Sequence, residues 1–321
     1  MGTQEPLTDC LPAFGRHHGY PPRYGWLRKV HLALQDDPGT LRRPDATVIL
    51  GVGSSMIPAM RFWSQAFGLA SPSPARGHVP TARGQWLLDD EHGADPFLEE
   101  PASLYLLHWW LLSAAPCHVP SWRYLFGHSG LRSNSRKLLQ AEITRTAHRA
   151  GWKTPTPSAV ASDITCLVSM YAPGAPDQPR ERVEDALFNP FRSLHMLTSG
   201  PAPNDFGDRT HTVTLDRTAG QSCPAAILAY ASLDYAARLA GPGPGTITVS
   251  RLASDSAGPG RLLLTDAPGL LRALRSMSAR HEGFAVTESA AGEDLLAYSA
   301  PPSTIAENIL AGAFPQARGS Q

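Results

Sequence analysis

The chain has 321 residues, with 28 Lys and Arg balanced by 28 Asp and Glu, so it is formally neutral and long enough for two or three packed cores. Neutrality excludes a basic total as the source of nucleic-acid affinity, so any such surface must come from local charge asymmetry. Four widely spaced cysteines (Cys10, Cys117, Cys166, Cys223) lack CxxC or Cys/His spacing, which argues against a zinc site or disulfide framework. A polar N-terminus and no bilayer-length apolar run give the expectation of a soluble cytoplasmic protein with no membrane partner.

A first helix is expected from about Pro22 to Leu34, with Leu27, Val30, His31 and Leu34 inward. A short helix over Thr47–Val52 follows, then the stretch Gly51-Val52-Gly53-Ser54-Ser55-Met56, leading into a third helix. There Met56, Met60, Trp63 and Phe67 form one apolar stripe, while Ser54, Pro58, Arg61 and Gln65 stand opposite. Ser54 or Ser55 is expected to cap this helix and Gly68 to end it. Segments around Ser71–Pro74 and His78–Pro80, running on to Trp86-Leu87-Leu88, read as a wing hairpin. Helix, short helix, turn, helix, wing is the order of a winged helix, with Ser54, Arg61 and Gln65 able to reach phosphates and base edges. An ordinary surface helix is the competing reading. Gly51-Val52-Gly53 lacks the Lys-Ser/Thr of a phosphate loop, so no nucleotide cofactor is expected.

Charge then switches abruptly. No Lys or Arg occurs between Arg83 and Arg123, whereas Asp89, Asp90, Glu91, Asp95, Glu99 and Glu100 fall close together. Such carboxylates suit a divalent metal, Mg2+ or Mn2+, placed against a scissile phosphate, with Asp89, Asp95 and Glu99 as the local candidates, Asp89 and Asp95 foremost as ligands, and His92 nearby. Helix caps and a solvated acidic loop are the competing reading. Pro101–Ala115 is apolar nearly all round and is expected at the centre of the core. From Ser121 to Pro155 the balance inverts: Arg123, Arg132, Arg136, Lys137, Arg145, Arg149 and Lys153 face only Glu142. Helices over Ser135–Arg149, with Leu138, Leu139, Ile143 and Ala147 inward, and from Thr156 onward make a second helix-turn-helix candidate. Arg132, Arg136, Lys137 and Arg145 are its candidate DNA contacts.

Pro173–Arg182 reads as a linker. Beyond it come a strand at His211–Leu215, a helix at Cys223–Leu239, a strand at Thr246–Val249 and a helix capped by Asp266. A hairpin of Phe284–Glu288 and Leu295–Tyr298 follows, again in winged-helix order. The expected fold is therefore mainly helical α+β, with tandem winged-helix or helix-turn-helix units and small hairpins. Its domains are expected at residues 14–120, 121–172 and 183–315. Near the start, Arg16, His17 and His18 lie in a Gly-flanked turn that could grip a phosphate, or His17 could move a proton. The alternative is that Phe14, Tyr20, Tyr24 and Trp26 fix that turn against the core. His108, on the core helix, is expected to be a satisfied buried histidine. No GxSxG motif or recognisable catalytic-thiol context is present.

Three segments carry a family pattern. They are Phe14-Gly15-Arg16-His17 with Arg23-Tyr24-Gly25-Trp26-Leu27, then Gly51–Gly53 through Met56, Arg61-Phe62-Trp63 and Ala66–Leu69, and Asp95–Pro101 running into Leu106–Trp109. Together these resemble the SspB-like family of bacterial DNA phosphorothioation systems, well over residues 14–112 and loosely over 130–175. The resemblance implies a DNA-nicking component of antiphage defence that works with a cysteine desulfurase, an ATP-pyrophosphatase-type protein and an ATPase. It marks Arg16, His17, Arg23, Arg61, Asp95 and Glu99 as family positions. Ser54-Ser55 stands where Lys or Asn is expected early in the recognition helix, so any family-wide base preference is open for this chain. The reading is then a double-stranded-DNA-binding nickase, with a homodimer an open option. His17, Asp95 and Glu99 are its candidate catalytic groups. Arg16, Arg23, Lys29, Ser54, Arg61, Gln65, Arg132, Arg136, Lys137 and Arg145 are its candidate DNA contacts. The rivals are a non-catalytic DNA-binding adaptor or regulator and, more weakly, a scaffold for the sulfur transferase.

Overall fold

The computed structural model describes residues 7–130, 133–173, 188–203 and 209–314. Two units emerge, one ending at Leu215 and the other spanning Asp216–Pro315. The architecture is mainly helical α+β, with three small antiparallel sheets among the described residues.

The first unit opens with helix α1 (Trp26–Asp36), which buries Trp26, Leu27, Val30, His31 and Leu34 as its periodicity predicts. Short α2 (Ala46–Leu50) leads to α3 (Ile57–Ala66), whose Met60, Trp63 and following Phe67 are fully buried. No serine caps α3; Ser54–Met56 form a 3-10 turn instead, and Pro58 falls within the first helical turn where no N–H is missed. At the other end Gly68 adopts φ +71°, its N–H bonds Gln65 O, and Leu69 N–H bonds Ser64 O, a Schellman closure.

Hairpin β1 (Ala70–Ser73) and β2 (Gly77–Pro80) pairs from Ala70 with Pro80 to Ser73 with Gly77. Trp86-Leu87-Leu88 does not extend that hairpin, contrary to expectation. The Thr81 hydroxyl accepts the Gly84 N–H at 3.1 Å, which starts α4 (Ala82–Leu88) and turns Leu87 and Leu88 into the core.

Helix α5 (Pro101–Ser113) is buried from Ser103 through Ser113. Its His108 Nδ1 shares a 2.7 Å hydrogen bond with the Tyr171 hydroxyl, and burial holds that phenol well above its ordinary pKa. After α6 (Pro120–Arg123) come β3 (Ser133–Ser135), α7 (Arg136–Arg149) and α8 (Pro157–Tyr171). Ser135 and Thr156 cap the last two through the Leu138 and Ala159 N–H groups. Leu138 is not inward but 39 % exposed; Thr146 fills the inward place beside Leu139, Ile143 and Ala147. Strands β4 (Leu197–Pro203) and β5 (Arg209–Leu215) complete a sheet ordered β3-β5-β4.

Residues 14–120 and 121–172 do not separate into two bodies. Trp63 packs edge-on to Trp122 at 5.9 Å, and His108 reaches Tyr171. Pairing of β3 with β5 carries the same unit past residue 183 to Leu215. The expected linker, 173–182, lies outside the described residues except for its first position.

The second unit runs α9 (Ala225–Ala240), β6 (Gly245–Thr248), α10 (Val249–Ser254), α11 (Pro259–Leu262), α12 (Ala267–Ser278), β7 (Phe284–Glu288), β8 (Asp294–Tyr298) and α13 (Pro302–Ala313). Its sheet is ordered β6-β8-β7. Asp266 caps α12 as expected, its carboxylate accepting the Gly269 N–H at 2.8 Å. Leu270, Leu274 and Met277 point inward from α12.

Gly84 shows how tightly the first unit is closed. A Cβ there would lie 2.3 Å from the Leu69 carbonyl oxygen, where backbone cannot yield cheaply. Gly84→Ala is expected to cost about 1–3 kcal/mol, read as a lowered midpoint in chemical unfolding. An unchanged midpoint would contradict that packing.

Candidate nucleic-acid interface

The loop from Phe14 to Tyr20 gathers several of the expected positions. Gly15 and Gly19 take φ values of +68° and +81°, left-handed backbone that lets the chain double back. Between them His17 is driven inside, to 1 % exposure. Its ring stacks on Trp63 at 6.2 Å and meets Trp122 edge-on at 5.7 Å.

Both ring nitrogens of His17 are used. Gly19 N–H donates to Nδ1 at 3.0 Å, which assigns the ring proton to Nε2, facing Asp163 Oδ1 at 3.0 Å. Asp163, 1 % exposed, also accepts the Gly15 N–H at 2.7 Å and the Ser121 hydroxyl at 2.6 Å. A serine, a histidine and an aspartate in contact invite comparison with a nucleophilic triad, but the connectivity differs. Here the serine donates to the carboxylate rather than to the histidine, and all three side chains are interior. The expected proton carrier His17 is therefore placed as a structural clamp.

What the clamp holds outward is Arg16, exposed on the same loop. On one side the loop meets α3: Trp63 Nε1–H donates to the Tyr20 carbonyl at 2.8 Å, and the Tyr20 and Ser55 hydroxyls lie 3.2 Å apart. On the other it meets α8 and the turn before it, through Asp163 and an edge-on Phe14–Trp152 contact at 6.1 Å. One loop thus joins the two helix-turn-helix candidates.

The other expected DNA contacts have varied surroundings. Ser54 is exposed, whereas Arg61 and Gln65 on α3 are only half-buried. Burial first, then the charges of Arg61 and Arg42, pushes the His78 imidazole below its ordinary pKa. Arg23 lies over the Tyr20 and Trp26 rings at 5.8 and 5.5 Å. Lys29, exposed, donates to the Leu50 carbonyl at the end of α2. On α7, Lys137, Arg145, His148 and Arg149 are exposed; Arg145 pairs with Glu142 at 3.1 Å. Arg136 is half-buried and donates to the Ser199 hydroxyl at 3.3 Å. Arg123 is 2 % exposed and neutralised by Asp9 at 2.6 Å, so it leaves the basic face. Arg132 lies outside the described residues.

The acidic stretch serves the backbone. Asp95, 6 % exposed, accepts the N–H groups of Glu99 and Glu100 at 3.0 Å each and the Ser103 hydroxyl at 2.5 Å, closing the entry to α5. Asp89 accepts the His92 and Glu91 N–H groups on one oxygen and the Gln85 and Gln35 amides on the other, which fills its lone-pair sites. The His92 N–H and the Gln35 amide hold its carboxyl below the usual carboxylate range. Asp90 is paired with Arg28. Among the described residues no group of three or more His, Cys, Asp or Glu is placed to hold a metal ion. Asp89 and Asp95 are not brought together in such a group. Glu99 is exposed and bonds Asp95 through its backbone, and no hydrogen bond or ring contact joins His17 to either residue.

Residues 14–314 match the family model described as a protein of unknown function, DUF4007. The chain belongs to this family. Two solved structures are similar over nearly its whole length. One, an SspB crystal structure, is 34 % identical, with a TM-score of 0.87, and the match covers 98 % of this chain and 92 % of that one. The other, a magnesium-ion-bound SspB crystal structure, is 33 % identical with a TM-score of 0.88, covering 99 % and 92 %. Comparison with curated proteins finds no match.

Sequence reasoning singled out His17 but missed its partners Asp163 and Ser121. The one available signal was a carboxylate on α8 between the inward Val160 and Ile164. Removing that carboxylate strands the buried His17 and Ser121 donors and frees the partly buried Gly15 N–H. Asp163→Ala is expected to cost about 3 kcal/mol in equilibrium unfolding, against at most about 0.5 kcal/mol for Arg16→Ala. Equal small effects from both would remove the clamp.

Proposed function

We propose that this protein is the DNA-engaging component of a DNA phosphorothioation system. The observation that carries the reading is the exposed face of α7: Lys137, Arg145, His148 and Arg149 there are accompanied by one acidic residue, Glu142. Exposed Lys153 and the outward Arg16 add to the same charge. A polyanion is the natural counterpart of such a face on a neutral chain, because counterion release from DNA rewards each neutralised phosphate. Likeness to SspB over nearly the full length supports the system to which this face belongs.

Both units contribute elements in an order suited to this role. In the first, α1, α2, α3 and the β1–β2 hairpin follow one another as in a winged helix. The second has helix α9, strand β6, helices α10 to α12 and hairpin β7–β8, with β6 joined to the hairpin through β8. We read both as winged-helix DNA-binding units. Half-burial of Arg61 and Gln65 moves the main contact of the first unit from α3 towards α7 and Arg16.

Nicking of the bound strand, and work beside the sulfur-transfer proteins, come into the proposal from the family resemblance. Mg2+, bound in one of the similar SspB crystal structures, is the metal that the test supplies. Supercoiled plasmid incubated with the purified chain and Mg2+ or Mn2+ should become open circles. Persistent supercoiling under every condition, with binding retained, would leave a non-catalytic adaptor.

The charge contacts have their own test. Joint replacement of Arg16, Lys137 and Arg145 by Gln should reduce the slope of log affinity against log salt by about 2–3, uniformly across duplex sequences. An unchanged slope would take α7 out of the interface.

A further inference from the structure

The second unit contains a cleft of about 550 Å³ that none of the expected contacts touches. Its walls are the turn Arg217–Gln221, the start of α9 and the outer side of α12. Arg217 and Gln221 enter from the turn, and Arg272 and Ser276 from α12, over an apolar floor that includes Leu228 and Leu264. Arg217 and Arg272 are both exposed, and neither enters an ion pair among the described residues. The N-terminal N–H of α12 nearest the cleft, that of Gly269, is already taken by Asp266, so the chemistry on offer is that of side chains.

Asp266, which accepts the Gly269 N–H, also lines the cleft, so two guanidinium groups there face a single carboxylate and one positive charge is left over; planar guanidinium groups suit phosphate oxygens. The positive face does not stop at the cleft. Helix α12 has no acidic residue from Ala267 to Ser278; it exposes Arg272 and Arg275, and exposed Arg280 follows it. Arg275 alone of these is tied down, to Asp294 at 3.2 Å. A lone small anion would use the cleft and leave the rest of this face idle. A phosphodiester backbone would use both. The hairpin tip, with exposed Glu288 and Glu293, falls outside such a contact.

We propose that the Arg217–Arg272 cleft and the outer face of α12 form a second duplex-DNA contact, with a backbone phosphate between the two arginines and Ser276 facing the groove. This rests on the DNA-engaging reading above, and adds to it a site on the other unit. A phosphate there would be held by guanidinium groups and by Gln221, a backbone contact that positions the duplex.

The test uses the full-length chain and a fluorescent duplex, with anisotropy recorded over a series of KCl concentrations. Arg217→Gln combined with Arg272→Gln should weaken binding about tenfold and lower the salt slope by about two. Ser276→Glu, which leaves both arginines in place, should also weaken binding by setting a negative charge in the cleft. Arg251→Gln, whose guanidinium pairs with Asp255 at 2.9 Å outside the cleft, should leave binding unchanged. These side chains are exposed, so unaltered melting temperatures will show that the variants are folded. Normal wild-type binding with no change in the cleft variants would overturn the second contact and leave DNA engagement by the first unit standing. Failure of the wild-type chain to bind any duplex would overturn both. Binding of dTMP that the double variant loses, without duplex binding, would overturn duplex DNA as the occupant.

Discussion

The first unit depends on one buried carboxylate. Asp163 receives the Gly15 N–H and the His17 ring from one loop and the Ser121 hydroxyl from a segment far away in the chain. The His17 and Ser121 donors are buried and would be stranded without it. The consequence is positional: with His17 fixed against Trp63 and Trp122, the loop has one way to run, and Arg16 has one side on which to emerge. A second anchor works alongside it. Asp9 neutralises buried Arg123, whose other nitrogen donates to the Leu112 carbonyl, and a backbone bridge joins Cys10 to Cys117. Charges that look surplus in the sequence are thus consumed in holding the N-terminal segment against the end of α5.

Much of the fold was legible because the local signals were strong and mutually consistent. The stripe Met60, Trp63 and Phe67, the Gly68 closure, the Thr156 cap and the Asp266 cap each rest on contacts within a few residues. His108 was legible for a related reason, since a histidine inside an apolar helix must find a partner, here Tyr171. The failures share a cause. Trp86-Leu87-Leu88 reads as a strand by composition, but the Thr81 hydroxyl commits it to a helix. Leu138 follows the helical period, yet Thr146 fits the space. Contacts such as Trp63–Trp122, which tie residues 14–120 to 121–172, leave no local mark.

The candidate site was legible as a set of charges and not as a set of roles. Basic residues from Arg136 to Arg149 stand on α7, but burial takes Arg123 away from them, and Glu142 and Ser199 engage Arg145 and Arg136. The acidic stretch misled in the opposite sense. Asp89 and Asp95 are spaced like ligands, while their neighbours supply backbone N–H groups that spend those oxygens on turns. A carboxylate two to five residues before unpaired N–H groups meets a donor sooner than it meets a distant co-ligand. Chain proximity therefore favours the cap over the metal wherever both are open.

Neutrality of the whole chain shapes how such a protein would meet DNA. With 28 charges of each sign there is no long-range pull to raise encounter rates, and screening removes most of what remains beyond a Debye length of about 8–10 Å. Affinity must then come from a few guanidinium and ammonium groups already held in place at contact. On the proposed DNA-engaging reading, rigid supports for those cations would matter. Arg16 stands on a loop clamped from beneath, the α7 cations stand on a helix capped by Ser135, and Arg272 stands on a helix capped by Asp266. Each cation loses less freedom on binding than it would on a mobile loop, so a small number of contacts goes further.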